Sequence, residues 1–277
     1  MQHKKLISLD LNLRRTTWRT ASAGQVTDPA IKNTHQRVIE RDDFTCRGCN
    51  FRSPPTKTKS GDGPSFMEVH HLDHDHGNNK ASNLATLCPM CHQVFHIGHA
   101  GENQSASLIW LPEISQADLN NFVRAIFISI VAESDPRLIA DNPQAAAILE
   151  RAEELAEKEE SLEDGEGFNK QAYIQDQVRL LEPALPIAGS ARSAYAALEA
   201  RALYLEEVFS ERASDPVFFG QAILDVAEKS INPELLKGVR VLARPDRMGN
   251  QIQHWLKHAY KGLPISSWPG LVKAITE

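Results

Sequence analysis

The sequence predicts an α+β protein: a small ββα unit closed by cysteines, followed by a mostly α-helical half. Three observations lead there. All four cysteines fall in two Cys-x-x-Cys pairs, Cys46/Cys49 and Cys88/Cys91. Between the pairs, Met67 to Leu72 reads as a short strand that runs into a polar turn, Asp73 to Asn79. Beyond the second pair, apolar residues recur at spacings of three and four in one segment after another.

Taken in order, residues 6 to 13 alternate apolar and polar side chains and predict a strand. Asp28 to Arg41 predicts a helix with Asp28 as its cap and Pro29 just inside. Pro54 to Pro64 is rich in Pro, Gly and polar residues and predicts an exposed loop. Ala81 to Leu87 approaches the second knuckle, which continues as a helix through His92 and His96. Leu108 to Leu111 predicts a strand, and Ser115 with Asp118 a capping pair for a helix that buries Leu119, Phe122, Val123, Ile126, Phe127 and Ile130. Asn142 to Glu160 predicts a charged amphipathic helix, and Ser161 to Asn169 a hydrophilic break. Further helices are expected over Tyr173 to Leu185, Ser193 to Ser210, Asp215 to Lys229 and Gly249 to Tyr260. The expected domains are residues 1–112 and 113–277, with an acidic linker around 157–169.

Composition sets limits. The 277 residues are 42% hydrophobic and 24% charged, ordinary for a globular protein of one or two domains. The first residues mix charge and apolar side chains, so neither a signal peptide nor a transmembrane segment is expected, and the expected location is cytoplasmic. A net charge of -6 argues against a protein that coats nucleic acid. Charge is nevertheless uneven: residues 1–60 hold twelve cations and five acids, whereas 150–166 hold nine acids and two bases. The basic end could face phosphates or simply be solvated surface.

A Cys-x-x-Cys turn lets two thiolates reach one ion, and a second pair completes a tetrahedron around Zn²⁺. A redox motif needs only one pair, and nothing points to an oxidising compartment that would favour two disulfides. Cys46, Cys49, Cys88 and Cys91 are therefore expected to hold a structural zinc with no open coordination position. Asp73, His74, Asp75 and His76 read as a solvated loop.

The order Val69-His70-His71, Asn83 and Cys91-His92 around the cysteine pairs resembles the zinc-bearing branch of the HNH, or ββα-metal, endonucleases over residues 46–96. The resemblance implies that His70 and His92 would hold a second, divalent ion such as Mg²⁺, with His96 as an alternative ligand. It implies His71 as general base and Asn83 as the residue bracing its loop. Histidine suits both tasks, because its ordinary pKa is near neutrality and its neutral ring ligates metals. If active, such a protein would be a DNA endonuclease.

The segments outside the zinc unit resemble a narrower family. Leu111 to Asn120, Ser214 to Gln221, Lys237 to Arg240 and Gln251 to Trp255, with Trp18 and Arg41 to Cys46, are similar to the IcmJ/DotN proteins of Dot/Icm-type (type IVB) secretion systems. That resemblance implies a zinc-stabilised adaptor that binds the coupling ATPase at an inner-membrane secretion complex. DNA is the partner implied by the nuclease alternative. The resemblance implies that a stretch of roughly residues 141–206 is extra to the shorter relatives, able to pack on a partner or to remain solvated surface.

Overall fold

In a computed structural model, the described residues are 6–11, 13–19, 28–58, 61–132, 143–160, 169–170, 173–174, 186–225 and 233–259. They form an α+β protein with three small antiparallel sheets of two strands each. The chain divides into two compact units, Met1–Arg124 with Ala197–Ala259 and Ala125–Ala196 with Tyr260–Glu277.

In the first unit the opening residues keep the expected alternation, with Leu9 and Leu11 buried and Ser8 and Asp10 facing outward. They do not form the expected strand. The reason lies in hydrogen bonding: the segment makes a backbone bond from Ile7 N–H to Arg47 C=O, at 2.7 Å, and no paired ladder among the described residues. Helix α1 (Arg15–Trp18) follows, and α2 (Pro29–Arg41) starts where Asp28 accepts from the Ala30 amide at 2.8 Å. The expected loop over 54–64 contains a tiny hairpin, β1 (Lys57–Thr58) against β2 (Gly61–Asp62).

Strands β3 (Glu68–His71) and β4 (Leu84–Leu87) pair antiparallel, with His70 opposite Ala85 and His71 opposite Leu84. The single helix expected through His92 and His96 is instead three pieces: α3 (Pro89–His92), a 3₁₀ turn over Gln93–His96, and α4 (Ile97–Glu102). The bend at His96, φ −135° and ψ 43°, redirects the chain so that Gly98 lies against α1. A Cβ at Gly98 would sit 2.1 Å from the Trp18 carbonyl oxygen, so only glycine permits this approach.

Strand β5 (Ala106–Trp110) pairs with β6 (Val239–Ala243), a strand that sequence patterning does not reveal. Its residues are all buried, so it lacks the polar alternation of a one-sided strand. Arg240 is accommodated because its guanidinium donates to the carbonyls of Ile114, Lys237 and Val239. The Gln116 side chain donates to Val241 C=O at 2.9 Å and accepts from Val241 N–H at 2.7 Å, as a neighbouring strand would. On the outer side of β5, Leu108 N–H donates to Ser214 C=O. The core around this sheet holds Trp18, Ile97, Leu108, Phe219 and Val241. In the same unit, helix α8 (Pro216–Asp225) packs on α1 and α4, and α9 (Gly249–His254) runs into a π turn over Trp255–Ala259.

Helix α5 (Gln116–Ala132) is capped as expected, Ser115 Oγ accepting from Asp118 N–H at 3.1 Å. The second unit contains α6 (Pro143–Glu160), whose Ala152 and Ala156 are buried. Phe127 packs edge-on to Tyr195 at 5.4 Å. Helix α7 runs over Pro186–Val208, beginning earlier than the expected Ser193. The expected break at 161–168, most of the helix expected from Tyr173, the end of the helix expected to Lys229 and the Tyr260 end of the last helix lie outside the described residues.

Candidate metal centres

The first cysteine pair sits in a turn that the backbone builds tightly. Cys46 N–H donates to Phe51 C=O at 2.8 Å, Asn50 N–H to Cys46 C=O at 2.9 Å, and Asn50 adopts the left-handed conformation at φ 62°. The second pair opens α3, where Pro89 takes the first helical position and the amides of Cys91 and His92 bond to Cys88 C=O. Gly48 lets the turns meet: a Cβ there would lie 3.2 Å from Cys91 Sγ and 2.9 Å from Leu9 Cδ2.

All four cysteines are free and buried, and their sulfurs lie within 4.8 Å of one another. Cys49 Sγ and Cys88 Sγ are 3.8 Å apart. A tetrahedron with Zn–S bonds of about 2.3 Å has corners about 3.8 Å apart, so the donor set fits a metal such as zinc. The electrostatics agree. Hydrogen bonds from the other cysteines, with the nearby Arg124 charge, pull Cys49 far below the usual thiol range. Burial pushes Cys88 and Cys91 well above it. Four thiols so placed ionise together only around a cation.

A second cluster lies on β3, α3 and the 3₁₀ turn. Ring nitrogens of His70, His92 and His96 lie within 4.8 Å of one another. His70 is 3% exposed and stacks on Phe95, centroids 4.1 Å apart, and its Nδ1 is buried with no hydrogen-bond partner. Such an orphaned nitrogen fits a metal ligand. His92 Nδ1 lies 2.6 Å from Glu68 Oε2, so its other nitrogen is free to ligate while the carboxylate fixes the ring. Burial, followed by repulsion from His92, lowers the pKa of His70 to about 2 and that of His96 to about 3. Both rings are thus neutral when folded, which leaves lone pairs for a divalent ion.

The same burial makes stability pH-dependent. Below about pH 6.5 the unfolded chain takes up protons that the folded His70 and His96 refuse, so stability is complete above that pH and falls as acid is added. At pH 5 the loss should reach about 2 kcal/mol for His70 alone. Urea unfolding at pH 7 and pH 5 checks this, and a midpoint that does not fall would contradict neutral, buried rings.

His71, the next residue along β3, is only 8% exposed. Its Nε2 lies 3.1 Å from Asn79 Oδ1, and its ring stacks on His76 at 5.0 Å. The side chain of Asn83 is engaged elsewhere. It accepts from Asp73 N–H and donates to Asp73 Oδ1 and Asn78 C=O, so it braces the 73–78 turn, while Asn79 orients His71. His74 is half-buried beside His70 and Phe95, unlike the solvated loop residue expected. Glu68, Asn79 and Phe95 are site residues that the sequence motifs do not single out. Glu68 carries a legible signal, since it shares a strand face with His70 two residues on.

No family model matches the chain. No helix among the described residues is long and apolar enough to cross a membrane. A curated relative, "Type 4 apparatus protein DotN" of Legionella pneumophila subsp. pneumophila, is 26% identical over 247 residues, covering 88% of this chain and 86% of that protein. The cysteine cluster, the histidine cluster and the sheet closed by β6 thus occur in a chain that is similar, over nearly all of its length, to a protein of a type 4 apparatus.

Proposed function

We propose that this protein is a component of a type IV secretion system: a zinc-stabilised, HNH-like scaffold that acts as an adaptor for the coupling ATPase in effector export. The observation that carries the reading is the likeness to DotN, which spans 86% of that protein rather than the cysteine region alone. The buried four-cysteine cluster supports the scaffold half, since a closed tetrathiolate site binds metal without an open position for chemistry. The adaptor would work at the cytoplasmic face of an inner-membrane complex. Coexpression with a tagged coupling ATPase should give a stable complex on affinity purification and gel filtration, and failure to associate would remove the reading.

A second reading, a metal-dependent HNH endonuclease, is favoured by the convergence of His70, His92 and His96. These residues would hold a divalent ion, which would neutralise charge developing on a phosphodiester. With Asn79 Oδ1 as acceptor, His71 Nε2 carries a proton and leaves Nδ1 to take one from water. If this reading is right, purified protein with Mg²⁺, Mn²⁺ or Ni²⁺ should nick plasmid DNA, and His71→Ala should lower the rate by about 10²-fold or more, on the order of a lost general base. Equal inertness of both proteins would eliminate it.

A further inference from the structure

Helix α5 has the apolar spacing of a core helix, yet its first turns touch the cysteine cluster directly. Asn120 Nδ2 donates to Cys91 Sγ at 3.2 Å. One turn later, Arg124 Nη2 donates to Cys88 Sγ at 3.2 Å and lies 3.5 Å from Cys49 Sγ. Asn121 bonds to Cys49 C=O and accepts from Arg124 Nη1 at 2.7 Å. On the remaining side, Gly48 N–H donates to Cys46 Sγ at 3.3 Å, so every sulfur receives an N–H.

Arg124 is fully buried. Its guanidinium lies 3.8 Å from the Phe51 ring centroid and 5.3 Å from that of Trp255. A buried cation is tolerated only beside a matching negative charge. Four thiolates around a divalent ion carry two net negative charges, and Arg124 cancels one of them.

We propose that Arg124, supported by Asn120, is the charge-compensating outer residue of the cysteine-bound metal, and that docking of residues 116–124 depends on that metal. The inference rests on the zinc reading above. Without the metal nothing holds the four sulfurs in one place, the N–H donors of Asn120 and Arg124 lose their fixed acceptors, and the first turns of α5 are released. Without Arg124 the thiolates lose a charged donor, and the metal leaves faster.

The test combines zinc transfer to a chromogenic chelator with hydrogen exchange at amides 116–124. In the wild-type full chain, zinc removal should speed exchange across 116–124. Arg124→Met, which keeps the side chain's length without its charge, should speed zinc transfer about 10- to 100-fold, the range for a lost charged hydrogen bond. Arg124→Lys should restore part of the difference. If Arg124→Met does not fold, Asn120→Ala should still speed transfer several-fold, about the effect of a lost neutral bond. Wild-type transfer rates in the folded variants, or unchanged protection of 116–124 after zinc removal, would overturn the proposal. Wild-type protein purified without zinc would instead overturn the metal reading beneath it.

Discussion

On the proposed zinc reading, Cys88→Ser should abolish metal binding at the cysteine cluster and unfold the cysteine region. Structural zinc in small units contributes on the order of 10 kcal/mol at neutral pH, and domains of this kind have only about 5–15 kcal/mol of stability in total. The position is unforgiving. Cys88 is fully buried, starts α3, and lies 3.8 Å from Cys49 Sγ, so serine would leave a hard oxygen in a soft site. The expectation is a protein recovered with less than stoichiometric zinc, lacking a cooperative thermal transition and resembling wild type treated with chelator. A Cys88→Ser protein that melted like wild type in chelator-free buffer would show that these sulfurs hold nothing. Cys46→Ser should behave alike, since Cys46 is equally buried in the facing turn.

Trp18→Ala should destabilise the first unit by about 3–5 kcal/mol, the range for deleting a large aromatic side chain from a core. Trp18 is 1% exposed and stands on a helix of four residues that has no side-chain cap. Its ring packs against Phe219 at 5.6 Å, a Cβ at Gly220 would meet it at 3.2 Å, and its own carbonyl closes over Gly98. The indole therefore ties α1 to α8 within the core, and its loss leaves a cavity beside Phe219 and Gly220. Urea denaturation of the variant should show a markedly lower midpoint, while zinc content stays at the wild-type value because the cysteines lie elsewhere in the unit. An unchanged midpoint would mean that α1 is only an ornament on the unit.

How legible the protein is depends on the range of each interaction. The cysteine pairs, the Asp28 and Ser115 caps and the strands expected at 67–72 and 108–111, found at 68–71 and 106–110, are set by neighbours in sequence, and they stand out from the residues alone. Strand β6 does not, because burial on both faces erases the alternation that marks a strand, and its partner lies far away in the chain. The opening segment fails in the opposite way. Its alternation correctly sorts Leu9 and Leu11 inward, but alternation cannot show whether a second strand lies alongside. Among the site residues, the HNH resemblance points to His70 and His92 with His96 as an alternative, and the structure brings all three together. Asn79, Arg124 and Asn120 are hidden for a common reason. Each acts through a contact set by the folding of separate segments, and on α5 a polar residue facing sulfur has the same period as one facing solvent.

The amide of Gln116 has a consequence for how copies of this protein coexist in a crowded cell. A bare strand margin is a template on which another polypeptide can grow into a ribbon, and β6 is apolar enough to nucleate one. By occupying both hydrogen-bonding groups of Val241, a single glutamine closes the middle of that margin. The molecule can thus keep a strand that is apolar but for Arg240 at the rim of its sheet without recruiting its siblings.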